Sequence, residues 1–277
     1  MIQKTQRISI KPGANTVRDE ALALCVRGVS KSFGGLQALK DIDLDIARGS
    51  IHGLIGPNGA GKTTFFNIIT GLYTADSGDF KLLGKSYSPA QTHEVARAGI
   101  ARTFQNIRLF KEMTALENVM VGRHIKTHSG VWAAILKTSS FKREEHATQL
   151  QAYALLDYVG IESLAKQRAK TLSYGDQRRL EIARALATDP YLLALDEPAA
   201  GMNGTEKKEL KVLIEKIRRD NKTVLLIEHD VQLVMGLCDQ LTVLDYGTKI
   251  AEGSAEQIQK NPLVIQAYLG TKSVRPT

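Results

Sequence analysis

Eight consecutive residues, Gly56-Pro57-Asn58-Gly59-Ala60-Gly61-Lys62-Thr63, follow the spacing G-x-x-x-x-G-K-[ST], a pattern suited to holding phosphate. Glycines let such a loop curl so that successive amide N–H groups point inward. A helix beginning at its end adds the partial positive charge of its N-terminus. Lys62 brings a full charge for the β- and γ-phosphates of a nucleotide, Thr63 a hydroxyl for a Mg²⁺ shell, and Thr64 a second hydroxyl on the α-phosphate side. A second group closes the apolar run Tyr191-Leu192-Leu193-Ala194-Leu195 with Asp196-Glu197-Pro198. Asp196 is expected to hold Mg²⁺ through its water shell, and Glu197, one residue further out, to orient and deprotonate an attacking water. Gln105, after Ile100-Ala101-Arg102-Thr103-Phe104, is either a polar strand terminus or a side chain reaching Mg²⁺ or that water. His229, after Thr223 to Ile227, would alone read as a satisfied structural histidine. In a sheet that also carries the loop and the acids, it reads as a γ-phosphate contact. A nucleotide with its phosphates, and Mg²⁺, are the cofactors this set implies.

These side chains need elements to hold them. Ser50 to Ile55 reads as a short strand ahead of the loop, and Phe65, Phe66, Ile68, Ile69 and Leu72 form the apolar stripe of a helix behind it, stopped by Gly71. Strand, loop, Lys-Thr and helix therefore agree, which a chance glycine turn would not produce. Upstream, Leu22, Leu24 and Val26 alternate, and Ile42, Leu44 and Ile46 alternate with Asp41, Asp43 and Asp45, the pattern of half-buried antiparallel strands. Between them, Lys31 to Gly35 is expected to be a loop carrying Phe33 at its tip, either a core ring or one stacked on a purine. From residue 106 helix signals replace strand signals. Thr114-Ala115-Leu116-Glu117 is a capping box, and Phe141 through Val159 is a long amphipathic helix closed by Gly160. Trp132, Ile135 and Leu136 are expected to pack. Asn203 and Glu206 cap a helix with an apolar stripe at Leu210, Leu213, Ile214 and Ile217, and Leu241 to Ile250 is a hairpin turning at Tyr246-Gly247.

The composition, 43% hydrophobic and 24% charged over 277 residues, is that of an ordinary globular chain. Its apolar runs are strand-sized, far below the ~20 residues of a membrane helix, and the first residues lack the apolar core of a secretory signal, so a cytosolic location is expected. Cys25 and Cys238 lie far apart in apolar patterns and are expected to be reduced core residues. His124, His128 and His146 do not share a face at metal-ligand spacing. The net charge of +8 is dispersed along the chain with no basic stripe, which argues against nucleic acid.

Leu172-Ser173-Tyr174-Gly175-Asp176-Gln177 and the following Arg178-Arg179-Leu180-Glu181-Ile182-Ala183-Arg184-Ala185-Leu186 resemble the LSGGQ signature and helix of ATP-binding-cassette ATPases. The loop, Gln105, Asp196-Glu197 and His229 stand in that family's order, and the likeness covers residues 21 to about 260. It implies an α/β fold, a P-loop NTPase with a RecA-like core, an antiparallel β subdomain and an α-helical subdomain inserted at approximately 106–187. The ATP-binding domain would span 21–270, between an N-terminal extension over 1–20 and a tail over 271–277. The resemblance implies that each ATP is sandwiched between the P-loop of one subunit and the signature of another. Ser173 and Gly175 would then serve a partner's γ-phosphate, and Phe33 would stack on adenine. Tyr174 in place of a signature glycine, and Asn203 in place of an aspartate, depart from the general pattern.

These departures, with Glu197 to Asn203, Arg102 to Phe110 and the ending Asn261 to Gly270, look like the LivG-type ATP-binding subunits of bacterial branched-chain amino-acid importers. That likeness implies two membrane permease subunits, a second ATP-binding subunit (a different cassette, or else a second copy) and a periplasmic binding protein. It implies a peripheral place on the cytoplasmic face of the inner membrane. The ATPase of a lipid or lipopolysaccharide exporter is the alternative, and a soluble cassette acting on ribosomes or DNA a third reading. The exact substrate is not legible, because permeases and binding protein select it.

Overall fold

A computed structural model describes residues 21–123 and 139–269. The extension over 1–20, the tail over 271–277, and His124, His128, Trp132, Ile135 and Leu136 lie outside the described residues.

The chain opens with strands β1 (Leu22–Phe33) and β2 (Leu36–Ala47), then β3 (Ile51–Ile55), helix α1 (Lys62–Ile69), β4 (Ser77–Leu82) and the short β5 (Lys85–Ser86). Strands β2, β1, β4 and β5 form an antiparallel four-stranded sheet in that order. The alternation read from the sequence is the reason: Ile42, Leu44 and Ile46 are fully buried on its inner face, while Asp43 on the outer face accepts from the Gly28 amide at 2.8 Å. One expectation changes here. Lys31 to Phe33 continue β1, pairing with Leu39, Gln37 and Leu36, and only Gly34-Gly35 turn. A second concerns Leu72, which is exposed, because α1 ends at Ile69 and Gly71 turns left-handed at φ +76°.

The second sheet has six strands. After α2 (Thr92–Ala98) come β6 (Ile100–Arg102), α3 (Ala115–Arg123), α4 (Ser139–Tyr158), α5 (Tyr174–Leu186), β7 (Leu192–Asp196), α6 (Gly204–Arg219), β8 (Thr223–Ile227), α7 (Val231–Met235), β9 (Gln240–Asp245), β10 (Thr248–Gly253), α8 (Ala255–Lys260) and α9 (Pro262–Leu269). The strand order is β10-β9-β3-β8-β7-β6, parallel throughout except for the β9–β10 hairpin. Every residue of β3, β7 and β8 is buried, as unbroken apolar runs require when both faces of a parallel sheet are covered.

Alternate residues of each strand feed two cores. Leu192, Ala194, Leu225 and Ile227 pack with α1 and the antiparallel sheet. Leu193, Leu195, Val224 and Leu226 pack with the Leu210, Leu213, Ile214, Ile217 stripe of α6 and with α3, α4 and α5. Burying each of the Leu, Ile and Val side chains contributes about 1.5 to 3 kcal/mol. The helix starts carry the caps expected of them: Thr114 and Glu117 exchange hydrogen bonds ahead of α3, and Asn203 and Glu206 form a capping box on α6. The parallel strands consequently deliver Gly56, Gln105, Glu197 and His229 to one edge, beyond the C-terminal ends of β3, β6, β7 and β8, where open α/β sheets take ligands.

Candidate nucleotide site

Helix α1 starts from Gly61, at φ +98°, with no side-chain cap and no acidic residue in its first turn, so its leading amides face an open loop and favour an anion. Gly56, at φ +151°, is required by contact as well as conformation, since a Cβ there would stand 2.1 Å from the Leu244 carbonyl oxygen. The loop is clamped from the hairpin, where the Gly247 amide donates to the Ala60 carbonyl at 3.1 Å. Helix α9 contributes too, its Tyr268 hydroxyl meeting the Gly56 backbone. Lys62 is buried, and its Nζ donates to the carbonyls of Gly56 at 2.6 Å and Pro57 at 2.9 Å. Burial lowers its pKa, opposed by the charge of Glu197.

A cavity of about 670 Å³ opens over this loop. Asn58, Gly59, Ala60, Gly61, Lys62, Thr63 and Thr64 line it, facing Phe33, Gln105, Glu197, His229 and the exposed Tyr246. Phe33 is 43% exposed; its ring meets Tyr73 edge-on at 5.5 Å, with Lys31 above it at 5.3 Å. Gly56 and Pro57 are outside the lining and act through the carbonyls that hold Lys62.

Glu197 takes φ +46°, the left-handed region that non-glycine residues enter at a cost of about 1 to 3 kcal/mol, characteristically at functional sites. The bend carries its carboxylate off the axis of β7. Gln105 Nε2 donates to its Oε2 at 2.8 Å, and His229 Nε2 lies 2.5 Å from its Oε1. Both oxygens are thereby positioned from neighbouring strand ends.

Asp196 is placed differently. Its carboxylate is buried, outside the cavity lining, and its Oδ2 accepts from Arg102 Nη2 at 3.2 Å. Burial raises the Asp196 pKa, and Arg102 opposes that rise. Arg102 also donates to Asn67 Oδ1 at 3.0 Å and Thr70 Oγ1 at 2.7 Å, and its guanidinium sits between the rings of Phe66 and Phe104. One side chain thus joins the end of α1, the acid strand and the segment leading to Gln105. A second unforeseen residue is Glu228, whose buried carboxylate accepts from the Ala199 amide at 2.7 Å and the His229 amide at 3.1 Å. It fastens the loop after Glu197 to the base of His229. The only sequence signals were a charge at the end of each buried strand.

Ser173 and Gly175 do not line the cavity. Ser173 is the N-cap of α5, and its hydroxyl exchanges hydrogen bonds with Asp176. Gly175 is buried against Glu206, whose Oε1 would stand 2.8 Å from any Cβ placed there.

Thr63, Gln105 and Asp196 offer a hydroxyl, an amide carbonyl and a carboxylate, all hard oxygen donors suited to Mg²⁺. Among the described residues no group of three His, Cys, Asp or Glu could hold a metal ion.

The phosphate loop after β3, the acids at the end of β7 and a strand set between those two define a P-loop nucleoside triphosphatase. Residues 39–200 match the family described as ABC transporter, and residues 248–273 the family described as branched-chain amino acid ATP-binding cassette transporter. The chain is 47% identical over 248 residues to the high-affinity branched-chain amino acid transport ATP-binding protein LivG of Escherichia coli (strain K12), covering 89% of this chain and 97% of that protein. A crystal structure of the ADP conformation of an ATP-binding cassette of an ABC transporter superposes with a TM-score of 0.78 at 31% identity, over 90% of this chain and 99% of that one. A dimeric post-hydrolysis cassette bound to ADP and Pi gives 0.71 at 25% identity, over 84% and 98%. The chain belongs to the ABC transporter family and is an ATPase of that family.

Proposed function

We propose that this chain is the ATP-hydrolysing subunit of an importer for branched-chain, hydrophobic amino acids. It works at the cytoplasmic face of a bacterial inner membrane with two permeases, a second ATP-binding subunit and a periplasmic binding protein. The match over residues 248–273 supports import over lipid or lipopolysaccharide export, as does the name of the 47% identical relative. Attachment to the membrane runs through the permeases; among the described residues no helix is long and apolar enough to cross a membrane. The helical part between Gln105 and α5 provides the docking. A groove lined by Val95, Phe104, Phe110 and Val121 runs beside the Gln105 segment, so a seated permease would sense that loop.

The observation that carries the catalytic reading is the Glu197 carboxylate, bent toward the phosphate loop and held at both oxygens. Phe33 stacks on the adenine. The amides of Gly59 to Thr63 and the Lys62 ammonium, turned from its loop carbonyls, hold the phosphates. Thr63 and Gln105 directly, and Asp196 through its water shell, would hold Mg²⁺, which would supply positive charge against the phosphates. Glu197 takes a proton from the attacking water, the new P–O bond forms as the bond to ADP breaks, and His229 keeps the base aimed while its ring faces the γ-phosphate. Ser173 and Gly175 complete the site of the other cassette, so ATP closes the pair and phosphate release reopens it.

Ser173→Arg tests this shared site by placing bulk and charge where the partner's phosphate approaches. It should abolish leucine uptake by proteoliposomes holding the full complex while leaving nucleotide affinity of the isolated subunit nearly intact. Isolated wild-type monomer turning over ATP as fast as the complex would contradict the reading.

A further inference from the structure

We propose that Arg178 is a positioning residue for Gln105, and that Tyr174 links it to the signature and to the loop after Glu197. The inference rests on the role given to Gln105 above.

Arg178, on the second turn of α5, has a fully buried side chain. Its Nη1 donates to the Phe104 carbonyl at 2.6 Å and to Glu181 Oε2 at 2.8 Å, and its Nη2 to the Gln105 carbonyl at 2.8 Å and the Tyr174 hydroxyl at 3.2 Å. The Glu181 Oε1 accepts from the amides of Phe104 and Arg108, both at 3.3 Å. The backbone on both sides of Gln105 is therefore gripped by one buried ion pair. The Gln105 side chain itself is exposed and reaches Glu197, so its aim is set by where Arg178 and Glu181 hold its backbone.

A buried arginine is a poor means of adding stability, since desolvation offsets much of its pairing energy. Its planar fork is well matched to two adjacent carbonyl oxygens. Tyr174 explains the departure from a signature glycine in the same terms. Its hydroxyl accepts from Arg178, its ring lies 5.8 Å from that guanidinium, and its edge packs against Gly201 in the loop that follows Glu197. Ser173, the residue before Tyr174, faces the partner's phosphate in the proposed mechanism. A shift at the signature is thus passed to Gln105, and each cassette's signature and glutamine move together.

The test is a double-mutant cycle in the reconstituted complex. Arg178→Met should lower kcat on the order of 10²-fold, the effect of roughly 1 Å of misplacement, with KM for ATP changed less than about twofold. Gln105→Ala/Arg178→Met should be no slower than Gln105→Ala alone, because a mispositioned residue already removed cannot be lost again. Arg178→Lys, which keeps the charge and loses the fork, should resemble Arg178→Met, and Tyr174→Phe should give a smaller loss of the same kind. Multiplying losses in the double variant, or full activity of Arg178→Lys, would overturn the proposal. If Arg178→Met does not unfold cooperatively or bind ATP, the same cycle run with Tyr174→Phe decides by the same criterion. A Gln105→Ala variant as active as wild type would instead defeat the role of Gln105 and the positioning with it.

Discussion

His229 Nε2 lies 2.5 Å from Glu197 Oε1, a contact between the ends of two adjacent parallel strands, β7 and β8. It ties the acid meant to activate water to a ring held in turn through its own amide by Glu228. His229→Ala should therefore lower ATP turnover by roughly 10²-fold, the low end of what a positioned base contributes, while ATP affinity stays near wild type. Steady-state ATPase and equilibrium nucleotide binding, measured together, separate the two effects.

Phe33 stands 43% exposed at the mouth of the cavity. Phe33→Ala should weaken ATP binding by about 1 to 3 kcal/mol, the worth of aromatic stacking on a base, and Phe33→Tyr should be tolerated. Unchanged affinity in Phe33→Ala would leave the ring a packing partner of Tyr73 and nothing more.

The Arg102–Asp196 pair has side-chain exposures of only 10% and 6%. Arg102→Met leaves a buried carboxylate without its cation and should destabilise the chain by about 3 to 5 kcal/mol. Adding Asp196→Asn should restore part of that loss. Urea unfolding measures both, and a single-variant loss below 1 kcal/mol would show, on the same scale, that the pair is not fully desolvated.

Most of the site was legible because its chemistry is contiguous. The phosphate loop and Asp196-Glu197 are short strings, and the strands behind them announce themselves as apolar runs. What escaped depends on partners distant in sequence: Arg102 and Asp196 are 94 residues apart, and Arg178 and Gln105 73. An arginine at the end of β6 or inside α5 looks like any helix or strand cation until the fold brings its acceptors together. Phe33 reads as a loop residue because Gly34-Gly35 follow it, yet pairing with Leu36 extends β1 to the ring itself. The ending Asn261 to Gly270 was legible as family likeness, whereas the contact of Tyr268 with the Gly56 backbone was not.

His52 is buried in β3, its Nε2 2.9 Å from Thr242 Oγ1, and burial lowers its pKa from 6.5 to about 4. The unfolded chain therefore takes up this proton first. Its contribution is full above pH ~6.5 and is lost as pH falls toward about 4, a total of roughly 3 kcal/mol. Between pH 7 and 4.5, wild type should lose about 2 to 3 kcal/mol more unfolding free energy than His52→Gln. Parallel pH profiles for the two proteins would refute this.

Glu197→Gln decides the central claim most directly, read out as ATP hydrolysis and leucine uptake by the complete complex in proteoliposomes, with ATP binding to the isolated subunit measured alongside. The expected result is hydrolysis lowered by roughly 10²- to 10⁴-fold, uptake abolished and ATP affinity retained. Hydrolysis and leucine uptake both near the wild-type rate would contradict Glu197 as the base that drives import.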